Sequence, residues 1–129
     1  MRLLLDTQVW LWSLAAPERL SQSVAAMLTE AANDIFLSAA SCWEIAIKYE
    51  LGKLRLPEDP ETFIAPRLVR DGIQGLPVGV QHAARVARLP SIHRDPFDRL
   101  LVAQAQIERL VLVSADPVFK RYEVELVRC

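Results

Sequence analysis

Short apolar runs alternate along the chain with longer segments in which apolar residues recur at helical spacing. The apolar runs predict strands at residues 2–5, 35–37, 110–113 and 124–127, and a further strand, interrupted by Gly75 and Pro77, at residues 73–78. Helical spacing predicts helices at residues 9–14, 21–32, 41–48, 60–70, 80–88 and 96–105. Because strands alternate with helices, the pattern predicts parallel β-α units, joined right-handedly, in a sheet covered on both faces.

Several of these helices carry recognisable end signals. Ser21 is a predicted N-cap for a helix that runs to about Ala32, with Asn33 in the left-handed turn that ends it. Ser41, followed three residues later by Glu44, matches a capping box. These signals set the expected boundaries of the second and third helices.

The stretch from His93 to Ala105 joins two acidic residues to a strongly apolar helix. Asp95 is the predicted N-cap, Pro96 stands at the first helical position, where a missing N–H costs nothing, and Asp98 falls two residues later. The helix that follows is apolar around most of its circumference, which predicts burial on more than one side. A buried helix with an acidic start requires an explanation.

Three other acidic residues, Asp6, Glu44 and Asp116, each follow a predicted strand within a few positions. In an open parallel α/β sheet, ligands bind outside the carboxyl ends of the strands, so these side chains are expected at one edge. Asp98 joins them if its helix begins at the same edge. Four neighbouring carboxylates repel one another, and some must hold protons unless a cation is bound.

Carboxylate oxygens without histidine or cysteine among them point to Mg²⁺, with Mn²⁺ as a possible substitute. The corresponding reaction is hydrolysis of a phosphodiester by a metal-activated water. We therefore predict a catalytic set consisting of Asp6, Glu44, Asp98 and Asp116. The predicted metal ligands within this set are Asp6, Asp98 and Asp116.

A structural alternative exists for each acid, because carboxylates are common at helix starts. Asp6 and Asp116 are suited to N-capping, and Glu44 to the capping box. Since Asn caps about as well as Asp, the variants Asp6→Asn and Asp116→Asn are expected to fold normally but to lose activity if the catalytic interpretation is right.

Polar residues beside the acids form two further candidate groups. The auxiliary residues, which are placed to orient a carboxylate or a metal-bound water, are Thr7, Ser38, Asp95 and Ser114. The candidate substrate-binding residues are Lys48, His93, Arg94 and Arg99. Ordinary turn hydrogen bonding or solvated surface charge is the alternative in each case, and for Asp95 the N-cap is the preferred interpretation.

The composition limits the remaining possibilities. A chain of 129 residues fits one domain, residues 1–129. The hydrophobic fraction is 52%, but no run approaches the roughly 18 apolar residues of a membrane span. The excess is explained either by a surface that a partner subunit covers or by a high alanine content. The apolar run before Asp6 is too short for a signal peptide, so we expect a cytoplasmic protein without a membrane segment.

Charge and cysteine content add two expectations. A net charge of −1 argues against indiscriminate binding to nucleic acid, although it allows a local basic rim around an acidic centre. Cys42 and Cys129 have neither metal-ligand spacing nor the pattern of a disulfide framework, and both are expected to be reduced thiols.

Four segments together make the chain resemble the PIN-domain nucleases, and among them the VapC-type toxins of bacterial and archaeal toxin–antitoxin pairs. The segments are Leu4 to Thr7, Ser41 to Lys48 with Gly52 to Leu54, His93 to Leu101, and Leu112 to Asp116. Two positions depart from the usual pattern of this branch: Gln8 stands where histidine is common, and Ser114 replaces threonine while keeping the hydroxyl.

The resemblance implies a three-layer α/β/α fold around a five-stranded parallel sheet with strand order 3-2-1-4-5. It also implies Mg²⁺-dependent endoribonuclease activity, a homodimer, and neutralisation by a small antitoxin that covers or enters the active site. The family's acidic quartet falls on the same four residues reached above, Asp6, Glu44, Asp98 and Asp116.

The sequence therefore favours an endoribonuclease toxin with an RNA substrate, and three alternatives stay open. One is a binding or regulatory module that keeps the acidic pocket without catalysis, and another is a PIN nuclease of general RNA processing. The third is phosphomonoester hydrolysis through an aspartyl-phosphate. That chemistry usually requires a second aspartate two positions after the nucleophile, where Gln8 stands.

Overall fold

The computed structural model describes all 129 residues, and five strands form a single parallel sheet at its centre. The strands are β1 (Arg2–Leu5), β2 (Asp34–Ser38), β3 (Gln74–Leu76), β4 (Val111–Ser114) and β5 (Leu126–Arg128). Their order is β3-β2-β1-β4-β5, and every neighbouring pair is parallel. The predicted α/β fold and strand order are confirmed.

Six α-helices lie between these strands in the chain. They are α1 (Thr7–Ala15), α2 (Gln22–Thr29), α3 (Ala39–Glu50), α4 (Pro60–Asp71), α5 (Val80–Arg85) and α6 (Pro96–Glu108). Three short 3₁₀ helices cover Pro17–Arg19, Val86–Arg88 and Pro117–Arg121. No helix combines the length and the apolar character that a membrane-spanning helix requires.

Apolar side chains project from both faces of the sheet and pack against helices on each side, so the molecule has three layers. Leu3 and Leu5 of β1 belong to one core cluster with residues of α1 to α4, among them the fully buried Trp10. Leu4, between them, points to the other face and packs with residues of α6 such as Leu101. This alternation follows from the two-residue period of a strand, and burial of each such side chain contributes about 1.5–3 kcal/mol.

The prediction for the end of the second helix is wrong. Helix α2 ends at Thr29, and Asn33 is not in the left-handed conformation, which among non-glycine residues only Arg109 adopts. The side chain of Asn33 accepts a hydrogen bond from the amino group of Met1 at 2.8 Å and donates one to the carbonyl of Met27 at 3.0 Å. These bonds fix the turn before β2, and the helix stops earlier than its composition indicates.

The predicted capping box at the start of the third helix is also wrong. Strand β2 runs directly into α3, and Ser38 is the N-cap, because its Oγ accepts the N–H of Ala40 at 3.0 Å. Ser41 lies inside the helix, where its hydroxyl receives a hydrogen bond from Thr7 at 2.8 Å. Glu44 consequently has no capping function and its carboxylate is available for another role.

Other boundaries differ by a few residues. The helix predicted at residues 80–88 divides into α5 and the 3₁₀ helix that follows it, and β3 ends before Pro77, which has no N–H to donate. Gly72 ends α4 as predicted, with a φ of 66° in the left-handed region. Both cysteines are free thiols.

Candidate active site

The four predicted catalytic carboxylates line one pocket at the carboxyl edge of the sheet. Its volume is about 300 Å³. We refer to it as the acidic pocket, and its polar and charged lining consists of Asp6, Thr7, Gln8, Glu44, Lys48, Lys53, Asp95, Asp98 and Asp116. The acids come from four separate segments, so the fold alone brings them together.

Asp6 reaches the pocket because it is the first residue beyond β1. Its backbone N–H donates to the carbonyl of Val113 at 2.9 Å, which continues the β1–β4 pairing by one residue and fixes Asp6 at the sheet edge. Its side chain makes no capping hydrogen bond, although it occupies the N-cap position of α1. The structure therefore gives no support to a capping role for Asp6.

Ser114, at the end of the neighbouring strand β4, links two of the acids. Its hydroxyl donates to Oδ2 of Asp6 at 2.6 Å and accepts the backbone N–H of Asp116 at 3.0 Å. The side chain of Asp116 itself accepts the N–H of Val118 at 3.0 Å and so caps the 3₁₀ helix that follows β4. Asp116 thus has the predicted cap, and one carboxylate oxygen remains outside that bond.

Glu44 projects from α3 and is nearly buried, with 8% of its surface exposed. Its Oε2 accepts a hydrogen bond from Nζ of Lys48, one turn later, at 2.8 Å. This bond raises the pKa of the Lys48 ammonium, and the negative charges of Asp95 and Asp98 raise it further. Lys48 therefore lies among the acids as a resident cation.

Asp98 is held at the first turn of α6 by Asp95. Oδ1 of Asp95 accepts the backbone N–H groups of Phe97 at 2.9 Å and Asp98 at 3.0 Å, so the predicted N-cap is present. Oδ2 of Asp98 lies 3.1 Å from Nε2 of His93. The same arrangement both begins the helix and orients the acid.

A residue that the sequence analysis missed, Tyr122, completes this arrangement. Its hydroxyl lies 2.7 Å from Nδ1 of His93 and accepts a hydrogen bond from Arg99 at 3.1 Å. Tyr122 is buried and lies 29 positions from His93 in the chain. No local pattern signals such a contact.

Burial and mutual repulsion disfavour the charged forms of two of the acids. Burial raises the pKa of Asp6, against the hydrogen bond from Ser114, and the charges of Glu44 and Asp116 add to the increase. Burial likewise raises the pKa of Asp98 to about 7, against the hydrogen bond with His93, with further contributions from Asp95 and Asp6. The pocket therefore concentrates more negative charge than it stabilises.

This donor set fits a hard divalent cation. All four acids present carboxylate oxygens, and a cation would favour the charged forms of Asp6 and Asp98, whose pKa values are raised first by burial and then by repulsion from neighbouring acids. No group of three or more His, Cys, Asp or Glu side chains lies close enough together to hold a metal ion. Mg²⁺ in proteins usually keeps several waters and takes only one or two protein carboxylates.

The remaining candidate residues are distributed differently. Thr7 lines the pocket, but its hydroxyl donates a hydrogen bond to Ser41. Ser38 is buried outside the pocket, where its hydroxyl donates to the side chain of Gln104 at 2.6 Å. Arg94 is exposed beside the site. Arg99 donates to backbone carbonyls of the preceding loop, so its contacts favour a structural role over substrate binding.

Comparison with known proteins first identifies the family. The model of the PIN domain matches residues 3–125. Ribonuclease VapC16 from Mycobacterium tuberculosis is 46% identical over 73 residues, which are 55% of this chain and 52% of the relative. The match thus spans about half the length of that curated protein.

Solved structures at lower identity share the fold. VapBC2 from Rickettsia felis, bound to a promoter DNA fragment, has a TM-score of 0.74 and 18% identity, covering 99% of this chain and 98% of that chain. DNA-bound VapBC from Salmonella typhimurium has a TM-score of 0.72 and 16% identity, and it covers the same shares of both chains. FitAcB from Neisseria gonorrhoeae has a TM-score of 0.68 and 22% identity, covering 98% of this chain and 96% of that chain. Since the family model extends over residues 3–125, which include every residue of the acidic pocket, this chain belongs to the PIN domain family.

Proposed function

We propose that this chain, as a single PIN-type domain over residues 1–129, is a metal-dependent endoribonuclease and the toxin of a toxin–antitoxin pair. One observation carries the proposal: four carboxylates from four chain segments line one pocket of about 300 Å³ at the carboxyl edge of a parallel sheet. Identity to a ribonuclease over about half of the chain supports RNA as the substrate.

Asp6, Asp98 and Asp116 are the proposed ligands of Mg²⁺, with Mn²⁺ as a substitute. When bound, the ion would lower the pKa of a water to generate the nucleophile and stabilise charge on the phosphate. Ser114 orients the Asp6 carboxylate, and His93 orients that of Asp98. Both hydrogen bonds hold the carboxylates in place before substrate arrives.

Glu44 and Lys48 supply the remaining polar groups of the proposed site. The ammonium of Lys48 is half exposed, with 51% of its side chain accessible, and it faces the acids at their rim. From this position it is placed to bind an RNA phosphate oxygen, while its hydrogen bond to Glu44 keeps that carboxylate at the edge of the proposed site. Gln8 also lines the pocket, so its difference from the common histidine affects the surface that contacts substrate.

A small antitoxin is the proposed protein partner. Beside the acidic pocket runs an apolar groove of about 390 Å³, which shares Gln8, Leu11 and Leu54 with it. Arg55 and Arg67 also line this apolar groove. A partner segment that lay in the groove would also cover the entrance to the acids, which supports neutralisation by direct obstruction.

A homodimer is the proposed assembly. On α3 and its C-terminal cap, Trp43, Ile47 and Leu51 recur every four residues and form one stripe. Trp43 is 63% and Leu51 62% exposed, which is unusual for side chains of this size. A second copy of the chain that covered this stripe would remove the apolar surface from water.

The test is RNA cleavage by purified protein with Mg²⁺ or with a chelator. We expect wild type and the control Asp34→Asn, at the opposite end of β2, to cut RNA with Mg²⁺ only. Asp6→Asn and Asp98→Asn are expected to lose at least about 100-fold in rate while keeping their fold. Cleavage that survives chelation, or either substitution, would contradict the mechanism.

The same preparations separate the alternatives. Turnover of a small phosphomonoester without RNA cleavage would favour the aspartyl-phosphate route, and RNA binding without cleavage would favour a regulatory module. Growth arrest on expression, relieved by co-expression of a small protein encoded beside this chain, would support the toxin role over general RNA processing. Absence of arrest by an active nuclease would contradict it.

A further inference from the structure

Three arginines share a second depression, away from the acidic pocket. It has a volume of about 500 Å³ and is lined by Arg85 at the end of α5, Arg88 in the 3₁₀ helix that follows, and Arg121 beyond β4. Glu123 is the one acidic residue in its wall. We call this surface the basic depression.

The arginines of the basic depression have few polar partners within the protein. Arg88 and Arg121 make no side-chain hydrogen bond, and no ion pair of the molecule involves any of the three guanidinium groups. Arg85 makes a single long hydrogen bond, 3.4 Å, to Gln106. In a chain of net charge −1, unpaired guanidinium groups in one concavity indicate a site for an anion.

A structural connection leads from this surface toward the acids. Arg99 donates to the backbone carbonyl of Leu89 at 3.5 Å and to that of Pro90 at 2.8 Å, and both residues line the basic depression. Arg99 also lines a neighbouring shallow concavity, together with His93 and Arg94. The two concavities are therefore lined by consecutive residues of one loop.

His93 connects this second concavity with the acidic pocket, because its ring contacts Asp98 in the wall of that pocket. Consecutive residues of one loop, from Leu89 to the exposed Arg94, therefore line first the basic depression and then the concavity beside the acids. A basic track that follows a backbone is how proteins hold single-stranded nucleic acid without reading its sequence. An acidic polypeptide would not require the track to continue into the acidic pocket.

We infer that the basic depression binds backbone phosphates of the same RNA strand that is cut in the acidic pocket, several nucleotides from the scissile bond. The inference rests on the proposed function and extends it from the cleavage site to a second contact. The depression would thereby raise affinity for RNA long enough to span both sites, and leave the chemistry at the acids unchanged.

The experiment compares Arg88→Glu/Arg121→Glu with wild type. Arg70→Glu is the matched control, because Arg70 is exposed on α4 and pairs only with its neighbour Asp71. Binding of a fluorescent unstructured RNA of about 20 nucleotides is measured in chelator over a salt series. We expect the double variant to bind roughly tenfold more weakly, with a shallower dependence on salt by about one unit.

Cleavage measurements provide a second readout. With Mg²⁺, the double variant is expected to show a raised KM and an unchanged kcat on the long RNA, and unchanged kcat/KM on an oligonucleotide too short to reach the depression. Thermal unfolding checks the fold, and Arg88→Gln/Arg121→Gln provides a milder pair should charge reversal disturb it.

Equal affinity and salt dependence in the double variant and Arg70→Glu would overturn the inference. So would an unchanged RNA affinity accompanied by lost binding of an acidic peptide, which would assign the depression to a protein partner. If wild type binds RNA through the depression but cuts none, the proposed nuclease function fails, and with it the link to a scissile bond, whereas phosphate binding at the depression is supported.

Discussion

At the scale of single residues, Asp98 has the most consequential environment. Its pKa of about 7 lies well above the ordinary value of 3.8, chiefly because of burial. Between these two values the folded protein binds more protons than the unfolded chain, so the free energy of unfolding falls as pH rises through this window. Stability from this residue is therefore greatest at low pH and is lost above about pH 7.

The corresponding prediction concerns metal-free protein in chelator. Between about pH 5 and about pH 8, wild type is expected to lose on the order of 1 kcal/mol more stability than Asp98→Asn, which cannot ionise, because solvent screens part of the effect at this partly exposed carboxyl group. Urea unfolding at several pH values measures the difference. Parallel pH profiles for the two proteins would contradict the assignment of a raised pKa to Asp98.

Ser114 gives a second prediction at this scale. Its hydroxyl is shared between the carboxylate of Asp6 and the N–H of Asp116, and Ser114→Ala would leave both groups short of a partner. We expect a loss of about 1–3 kcal/mol in the free energy of unfolding and a higher Mg²⁺ concentration for half-maximal cleavage. Ser114→Thr, which retains the hydroxyl, is the control and is expected to preserve both properties.

At the scale of elements, the start of α6 depends on its N-cap. Asp95→Ala removes the acceptor for two backbone N–H groups and is expected to cost about 1 kcal/mol, whereas Asp95→Asn should keep the cap. Because Asp95 also lines the acidic pocket, the pair of variants separates its roles. Full activity in Asp95→Asn identifies a cap, and lost activity with normal thermal stability identifies a ligand.

The loop before α6 depends on Arg99 in a different way. Its guanidinium donates to the carbonyls of Val86, Leu89, Pro90 and His93 and to Tyr122, which a lysine ammonium has no geometry to reproduce. Arg99→Lys is expected to lose about 2 kcal/mol in the free energy of unfolding. The exposed Arg94→Lys serves as the control and should unfold as wild type does.

Elements with a local signal could be predicted from the sequence. Leu3 to Leu5 form a strand because consecutive apolar residues suit a sheet buried on both faces, and Gly72 ends α4 through its own backbone freedom. The start of α3 could not be predicted, since Ser38 and Ser41 are equally good caps. Long-range pairing of β2 with its neighbours extends the strand to Ser38 and decides between them.

The candidate site likewise has a part that could be predicted from the sequence, its acids, and a part that could not, the hydrogen bonds around them. Strand-end positions suggested Asp6 and Asp116, and helix-start chemistry suggested Asp98, because the geometry of a parallel sheet relates such positions to one edge. The hydrogen bonds that orient the acids could not be predicted, since they join residues with no common pattern. The contact of Tyr122 with His93 depends on the packing of two distant loops.

At the scale of the whole molecule, the proposed dimer makes a prediction about assembly. Trp43→Ala/Leu51→Ala is expected to raise the dissociation constant of the dimer by at least about tenfold, because large buried apolar side chains dominate such interfaces. Val69→Ala is the control, since Val69 is 83% exposed on α4, outside the stripe. Sedimentation over a concentration series measures the change, and a monomeric wild type would contradict the proposal.

The hydrogen bond between Ser114 and Asp6 joins positions 108 residues apart in the chain. Strand β4 lies beside β1 in the sheet, although β2, β3 and all six helices stand between them in the chain, and Asp116 follows β4. For an enzyme proposed to destroy RNA, this order has a protective effect. A nascent chain or a fragment that ends before β4 lacks both Ser114 and Asp116, so it has no complete acidic pocket with which to cut RNA.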